Sequence, residues 1–301
     1  MSTFGEYGEE PLKLLQESGV SYSLNPLKRR PHQKEIIEMA KDCEGIVAGV
    51  EPYDANVLDQ LPKLQCLSRC GVGIDNIDLE KAKAKKIAIL NTPDAVVQPV
   101  AELTLAMIFD LLRNLTFQTL KFKEKKWDKQ TGSLLSGKKI GILGLGRIGR
   151  RVAELLRKLD TQVYGADLYP DSVWAKNTGV TLVSIEELIR ASDILSIHLS
   201  VLKENPFQLG EKELLSMKKG AMLVNVCRGS LIDEEALFRA LKNRHLAGAA
   251  LDVFQEEPYS GKLTELDTVI LTPHIATLTE QSRLQMEIQS VKNLISYFKT
   301  S

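Results

Sequence analysis

Three residues in the last quarter of the chain are suited to acid–base chemistry on a small carboxylic acid. Arg228 follows the apolar run MLVNVC, Glu257 lies in LDVFQEEP, and His274 lies in ILTPHIAT. An imidazole exchanges protons at neutral pH because its unperturbed pKa is about 6.5. A neighbouring carboxylate orients the ring and favours its protonated form, and an arginine fork binds a carboxylate through two hydrogen bonds. The set predicts oxidation of a 2-hydroxy acid, or the reverse reduction of a 2-oxo acid.

Each of these residues also has an ordinary structural explanation. Arg228 could cap a turn or pair with Asp233, and Glu257 could be a solvated surface acid. His274 could be a core histidine that bonds to the backbone. Another histidine, His198, ends the apolar run DILSI and is a second candidate for the same site. The residues alone leave these alternatives open.

A glycine-rich loop, GLGRIG, lies between the strand-like run KIGIL and an amphipathic helical pattern. Gly144 permits a tight turn, Gly146 lets the backbone approach a pyrophosphate, and Gly149 lets helix and strand pack closely. The helix N-terminus supplies N–H groups and a partial positive charge. The alternative is a glycine-rich turn in some other strand–helix–strand unit, but the surrounding elements favour a dinucleotide site.

The acidic residue expected about twenty positions after such a loop is Asp167. Its carboxylate would accept hydrogen bonds from ribose hydroxyls and would repel a 2′-phosphate. The next residues, Leu168 and Tyr169, bring no positive charge that could hold such a phosphate. The loop and Asp167 therefore predict NAD rather than NADP.

The elements that must position these side chains are apolar runs rich in β-branched residues, which predict strands. Helical patterns lie between most of these runs. The predicted strands are residues 20–24, 45–49, 66–68, 87–90, 139–143, 162–166, 193–197, 222–226, 248–253 and 268–272. Short runs that are apolar on both faces indicate parallel sheets covered by helices. The predicted fold class is α/β, with two Rossmann- or flavodoxin-like domains and a cleft between them.

Two long helical patterns set the predicted domain boundaries. Residues 100–122 contain no glycine or proline, and we expect one helix that leaves the first domain and docks on the second. Residues 278–298 form another helix that returns to the first domain. We therefore predict a substrate domain at 1–94 and 277–301 and an NAD-binding Rossmann domain at 95–276. Ligands in such folds bind at the carboxyl ends of the strands.

The composition excludes several other classes of protein. The 301 residues carry 39 basic and 39 acidic side chains, which argues against a nucleic-acid partner. The four cysteines form no CxxC pair and no zinc-binding spacing, so no metal is predicted and a reducing cytoplasm is expected. No leader and no apolar run of about twenty residues is present, so we predict no membrane association.

Six motifs in order resemble the D-isomer-specific 2-hydroxyacid dehydrogenases, within them the phosphoglycerate dehydrogenase-like branch. They are RCGVGIDNIDL (69–79), NTPDAVVQPVAELTLAMI (91–108), GKKIGILGLGRIGR (137–150), NVCRGSLIDEEAL (225–237), AALDVFQEEP (249–258) and LTPHIA (271–276). The resemblance extends over almost the whole chain. It implies that His274 is the acid–base group, Glu257 its partner and Arg228 the substrate clamp.

The resemblance also implies two sets of binding residues and a homodimer that forms through the cofactor domain, around residues 100–140. The implied cofactor contacts are Val72, Gly144, Gly146, Arg147, Ile148, Gly149, Asp167, His198, Leu199, Val226, Cys227, Asp252 and Ala276. The implied substrate contacts are Arg69, Cys70, Gly71, Val72, Gly73 and Arg228.

The sequence departs from the family pattern at two places in the first domain. Members begin with a β-strand before the segment that reads STFGEYG here, and its loss would weaken the small sheet. The turn after the second predicted strand reads VAGVEPYD, where relatives specific for phosphoglycerate have an arginine, which disfavours a phosphate-bearing substrate. Two other functions stay open, a non-enzymatic NAD(H)-sensing corepressor-like protein and an inactive homologue damaged at its N-terminus.

Overall fold

The computed structural model describes residues 3–201 and 207–300. Its helices are α1 (Glu10–Glu17), α2 (Gln33–Ala40), α3 (Ala55–Asp59), α4 (Leu79–Ala84), α5 (Val97–Arg113), α6 (Leu115–Lys123), α7 (Arg147–Arg157), α8 (Ser172–Thr178), α9 (Ile185–Ala191), α10 (Glu211–Ser216), α11 (Glu234–Lys242) and α12 (Glu280–Thr300). Its strands are β1 (Gly45–Ala48), β2 (Cys66–Arg69), β3 (Ala88–Leu90), β4 (Lys139–Leu143), β5 (Gln162–Ala166), β6 (Thr181–Leu182), β7 (Ile194–Ile197), β8 (Met222–Asn225), β9 (Gly248–Leu251) and β10 (Val269–Leu271).

The chain divides into two compact units. The first contains Met1–Val96 and Thr277–Ser301, and the second contains Val97–Ala276. Both units alternate strands with helices, and every named strand pair is parallel. The predicted α/β class with parallel sheets is therefore confirmed.

The second unit contains a seven-stranded sheet in the order β10-β9-β8-β7-β4-β5-β6. The strand order reverses between β4 and β7, the position where open α/β sheets bind their ligands. The strands β7 and β9 are buried along their whole length, as expected where helices cover both faces. The long helix α5 packs on α7 and on the strands β8 and β9.

Short polar residues begin many of the helices, and this is local sequence information. An aspartate or serine side chain accepts the backbone N–H three residues later and so satisfies one of the helix's unpaired donors. The capping residues are Asp54, Asp78, Asp171, Ser184 and Asp233. Each begins a helix that follows a strand or turn, and so fixes where the chain turns back along the sheet.

The first unit contains a three-stranded sheet in the order β1-β2-β3, and α12 packs against β1, β2 and α1. The C-terminal helix thus packs on this part of the chain. The predicted strand at 20–24 is wrong, because these residues form no strand. Their apolar side chains, Val20, Tyr22 and Leu24, are exposed by 39 to 49%. The segment borders a cavity of about 780 Å³ that β1 also lines.

The prediction of one helix over residues 100–122 is also wrong. The pattern is divided at Asn114, whose φ of 52° is left-handed. Asparagine tolerates this conformation better than most residues with side chains. Asp110 then receives hydrogen bonds from the N–H and the hydroxyl of Thr116, which fixes the start of α6. The sequence pattern also missed β6, which is only two residues long.

Candidate active site

The predicted site residues of the second unit follow six neighbouring strands at one edge of the sheet. Because the strands are parallel, their carboxyl ends meet at this edge. The positions, in sheet order, are His274 after β10, Asp252 and Glu257 after β9, Arg228 after β8, His198 after β7, the glycine loop after β4 and Asp167 after β5. The strand order thus brings together residues that lie far apart in sequence.

The turn that carries Arg228 is held by a buried amide. The Asn225 side chain donates to the carbonyl of Arg228 at 2.8 Å and accepts from the N–H of Cys227 at 3.0 Å. At Gly229, a Cβ would lie 1.9 Å from the backbone carbon of Phe254, so only glycine fits there. The turn after β8 therefore packs directly on the loop that leads to Glu257.

His274 and Glu257 form a hydrogen-bonded pair. The Nδ1 of His274 lies 2.9 Å from Oε2 of Glu257, and Oε1 accepts the N–H of Phe254 at 3.2 Å. The His274 side chain is 50% exposed, so it is not a buried core histidine, and Glu257 is not merely solvated. Because a carboxylate only accepts, Nδ1 carries the hydrogen and Nε2 is the nitrogen that can exchange a proton.

The loop that carries His274 is anchored by the fully buried Asp252. One carboxylate oxygen accepts from the Thr272 hydroxyl at 2.6 Å and the N–H of Ile275 at 2.8 Å. The other accepts from the N–H of Ala276 at 2.8 Å. Between these anchors, His274 has a φ of 55°, a left-handed conformation that is strained for a residue with a side chain.

The glycine loop has the geometry that a dinucleotide pyrophosphate requires. Gly144 has a φ of 97°, and a Cβ there would meet the carbonyl of His198 at 2.5 Å. A Cβ at Gly149 would lie 2.0 Å from the oxygen of Gly144, whereas one at Gly146 would meet nothing within 4 Å. Gly146 therefore borders open space at the start of α7, where a phosphate can approach the helix N-terminus. Arg147 is exposed and Ile148 is half-buried beside it.

Asp167 is already held in place by the backbone. Its Oδ2 accepts the N–H of Leu145 in the glycine loop at 2.6 Å, and its Oδ1 accepts the N–H of Tyr169 at 2.9 Å. Each carboxylate oxygen has capacity for a further hydrogen bond. The residues present therefore fit an NAD ribose, and the exposed Leu168 and Tyr169 leave the approach open.

His198 is buried beside the glycine loop. Its Nε2 lies 2.8 Å from the Ser196 hydroxyl, while Nδ1 has no hydrogen-bond partner among the described residues. Burial lowers the pKa of His198 to about 3, so the ring is neutral at physiological pH. The structure thus places His198 in contact with the loop, and Leu199 follows it.

The cysteine at the site is not a nucleophile at neutral pH. The Cys227 thiol donates to the carbonyl of Ile197 at 2.9 Å, and burial raises its pKa to about 12. The preceding Val226 is buried. Because a thiolate is the reactive form, the chemistry of the site rests on other groups.

In the first unit, the predicted substrate loop follows β2 at the carboxyl edge of its sheet. The N–H of Cys70 donates a hydrogen bond to the carbonyl of Ala48, and the N–H of Gly71 donates one to the Thr92 hydroxyl. The N–H groups of Val72 and Gly73 form no hydrogen bond with any described residue. The Arg69 guanidinium donates to the carbonyl of Cys70.

Sequence reasoning missed the residues whose hydrogen bonds fix the loops that carry Arg228 and His274. Asn225 and Thr272 are both at or next to strand ends and bond across the turns. The only sequence signal for Asn225 was a polar residue in the apolar run MLVNV. The resemblance assigned Asp252 a cofactor contact. In the structure its carboxylate accepts three hydrogen bonds from the loop after β10, which carries His274.

Neither a metal-binding cluster nor a membrane-spanning helix is found in the described part of the chain. No group of three or more histidine, cysteine, aspartate or glutamate side chains there could hold a metal ion. None of the helices in that part combines the length and apolar character needed to cross a membrane.

The strand order, the glycine loop and the position of Asp167 at the end of β5 are those of a dinucleotide-binding Rossmann domain. A sequence profile for the D-isomer specific 2-hydroxyacid dehydrogenase NAD binding domain matches residues 105–276. The chain belongs to this family, which confirms the predicted resemblance and the assignment of NAD as the cofactor.

Named relatives agree with the family assignment. A D-3-phosphoglycerate dehydrogenase of Methanocaldococcus jannaschii is 37% identical over 281 residues, covering 91% of this chain and 53% of that protein. A glyoxylate reductase of Korarchaeum cryptofilum is 35% identical over 280 residues, covering 89% and 83%. The structure of an Aquifex aeolicus D-lactate dehydrogenase complexed with NAD and lactic acid has a TM-score of 0.84 and 28% identity, covering 97% and 93%. The chain spans about half the length of the phosphoglycerate dehydrogenases it matches.

Proposed function

We propose that the protein is an NAD-dependent D-2-hydroxyacid dehydrogenase that transfers a hydride between NAD(H) and a small 2-hydroxy or 2-oxo acid. The observation that supports this most is the His274–Glu257 pair, 2.9 Å between Nδ1 and Oε2, at the sheet edge that also carries Arg228 and the glycine loop. Relatives named as dehydrogenases and reductases support it. No relative reported above favours the corepressor-like alternative.

Bound NAD supplies the hydride acceptor, and the side chains supply the proton chemistry and the orientation. In oxidation, Nε2 of His274 takes the proton of the substrate hydroxyl while Glu257 stabilises the imidazolium through Nδ1–H. In reduction, the same nitrogen returns the proton to the carbonyl oxygen. The Arg228 guanidinium binds the substrate carboxylate. The cofactor-binding residues are those of the glycine loop and Asp167.

The substrate we propose is a short acid without a phosphate group. The turn after β1 contains Glu51, whose carboxylate is buried and accepts the N–H of Gly49 at 2.7 Å. No lysine, arginine or histidine lies in this turn, residues 47–54, so the turn offers no cation for a second anionic group on the substrate. We propose that the substrate carboxylate meets the N–H groups of Val72 and Gly73, with Arg69 nearby.

We also propose that the protein is a cytoplasmic homodimer. Six large apolar side chains between residues 109 and 134 are 40 to 75% exposed, and we propose that they form an apolar interface of the kind found between protein subunits. They are Phe109, Leu115, Leu120, Phe122, Trp127 and Leu134. A Trp127→Glu variant should elute as a monomer in light-scattering chromatography if this surface joins two copies. The spacing of the four cysteines in the sequence favours a reducing compartment.

A substrate screen tests the proposed activity. The protein is mixed with NADH and glyoxylate, hydroxypyruvate or pyruvate, or with NAD and glycerate, 3-phosphoglycerate or lactate, and the absorbance of NADH is followed. His274→Asn should lower turnover by roughly 10²–10⁴-fold while NADH binding is kept. Asparagine is chosen because it tolerates the left-handed backbone.

The matched control is His245→Asn, which changes a half-buried histidine that precedes β9 at the opposite edge of the sheet. This variant should keep full turnover. NADH binding without turnover of any acid would refute the dehydrogenase proposal and favour an inactive or NAD(H)-sensing protein.

A further inference from the structure

The side chain of Arg150 bonds to the same residue of the glycine loop that bonds to Asp167. The Arg150 Nε donates to the carbonyl of Leu145 at 2.9 Å. The N–H of Leu145 donates to Asp167 at 2.6 Å. A single residue therefore separates this arginine from the carboxylate that we assign to the ribose hydroxyls.

The positive charge of Arg150 is held by Asp171. The Nη1 of Arg150 lies 3.1 Å from Oδ2 of Asp171, and its guanidinium carbon lies 4.9 Å from the centre of the Trp174 ring. The side chains of Arg150 and Asp171 are 33% and 41% exposed. The guanidinium is thus within reach of solvent, and a carboxylate and an aromatic face fix its position.

Asp171 and Trp174 are themselves fixed by neighbouring bonds. Asp171 caps α8 by accepting the N–H of Trp174 at 2.9 Å, and this bond, with the Arg150 charge, lowers the pKa of Asp171. The indole N–H of Trp174 donates to Glu154 on α7 at 3.2 Å. The cluster that holds Arg150 is therefore tied to both helices that border Asp167.

We propose that Asp171 is a cofactor-specificity determinant, because it withholds Arg150 from the 2′-phosphate of NADP. Proteins of this fold that use NADP bind that phosphate with an arginine near the position of the ribose acid. Here such an arginine is present but is neutralised by Asp171. NAD preference then has two parts, repulsion of the phosphate by Asp167 and retention of Arg150 by Asp171. This inference rests on the proposed NAD site and deepens it.

Dissociation constants of NADH and NADPH, measured by nucleotide fluorescence, test the inference. Asp167→Asn is the background, because it removes the repelling charge and keeps an acceptor oxygen. Adding Asp171→Asn keeps the helix cap, since asparagine is a good N-cap residue, but removes the charge that holds Arg150. NADPH should then bind on the order of tenfold more tightly than to Asp167→Asn alone, through a charge-assisted bond to phosphate.

Arg150→Met in the double variant should abolish this gain. The matched control is Arg190→Met, which removes an exposed arginine in the last turn of α9, and it should keep the gain. NADH affinity should change by no more than about twofold when Asp171→Asn is added. Thermal melts check that each variant is folded. A double variant without the gain, or a gain that survives Arg150→Met, would overturn the inference.

The assay reads binding and not turnover, so the two proposals fail separately. A wild-type protein that prefers NADH but turns over no acid refutes only the dehydrogenase function. Wild-type preference for NADH with no response to Asp171→Asn refutes only the role of Asp171. A wild-type protein that binds neither nucleotide refutes both.

Discussion

Asp252→Asn should destabilise the second unit and misplace His274. The carboxylate of Asp252 is fully buried, and its two oxygens accept three hydrogen bonds from the loop that carries His274. An asparagine oxygen can keep the bonds to Thr272 and Ile275. Its NH₂ group then faces the N–H of Ala276, so one charge-assisted bond is lost and two donors oppose each other.

The magnitude follows from that single lost bond. A hydrogen bond to a charged group is worth roughly 1.5–3 kcal/mol, and a buried unsatisfied donor costs a similar amount. For a unit the size of residues 97–276, this corresponds to a fall in Tm of about 3 to 12 °C. Displacement of the loop should also lower turnover by roughly tenfold to a hundredfold, because proton transfer depends on placement to within about 1 Å.

Thermal unfolding by circular dichroism measures the first effect, and oxo-acid reduction well below the Tm measures the second. The control is Asp267→Asn, an exposed aspartate between β9 and β10, which should change neither. If Asp252→Asn melted within about 1 °C of the wild type and kept its turnover, the carboxylate would not anchor the loop.

Three further predictions concern the cofactor edge. Gly149→Ala should destabilise the protein, because its Cβ would lie 2.0 Å from the oxygen of Gly144. Gly146→Ala should only weaken NADH binding, since its Cβ would meet nothing within 4 Å. Equal melting temperatures of the two variants would contradict this. His198 has a folded pKa of about 3, below the unfolded value of about 6.5, so its contribution to stability is complete above pH 6.5 and is lost as the pH falls toward 3. Urea titrations at pH 7.5 and 5 should show a smaller acid-induced loss in His198→Asn, and identical losses would refute the assignment. Cys227, with its pKa raised to about 12, should be alkylated by iodoacetamide far more slowly at pH 8 in the folded than in the unfolded protein; equal labelling by mass spectrometry would show that the thiol is not buried.

The sequence predicted the elements whose signals are local. Nine of the ten predicted runs are strands, because buried parallel strands must be short and apolar on both faces. The run at 20–24 alternates apolar and polar residues as a strand does, but it forms no strand and borders a cavity that β1 also lines, an arrangement that no local pattern reveals. The break at Asn114 depends on one left-handed residue in an otherwise helical pattern.

The sequence predicted the chemically reactive residues of the candidate site but not the hydrogen bonds that position them. Arg228, Glu257 and His274 were found because their chemistry is recognisable at strand ends. Of their supports, Asn225 closes its own turn through bonds to residues two and three positions later, whereas Asp252 bonds to a different loop up to 24 residues away. Such bonds depend on the register of adjacent strands, so they become visible only once the sheet is assembled.

The left-handed backbone at position 274 has an evolutionary consequence. That conformation costs a residue with a side chain about 1–2 kcal/mol, whereas glycine adopts it freely. A directed-evolution campaign that selected for heat resistance alone would therefore favour glycine at this place. Glycine at this position would remove the proposed acid–base group, so selection on turnover would keep the imidazole together with its cost in stability.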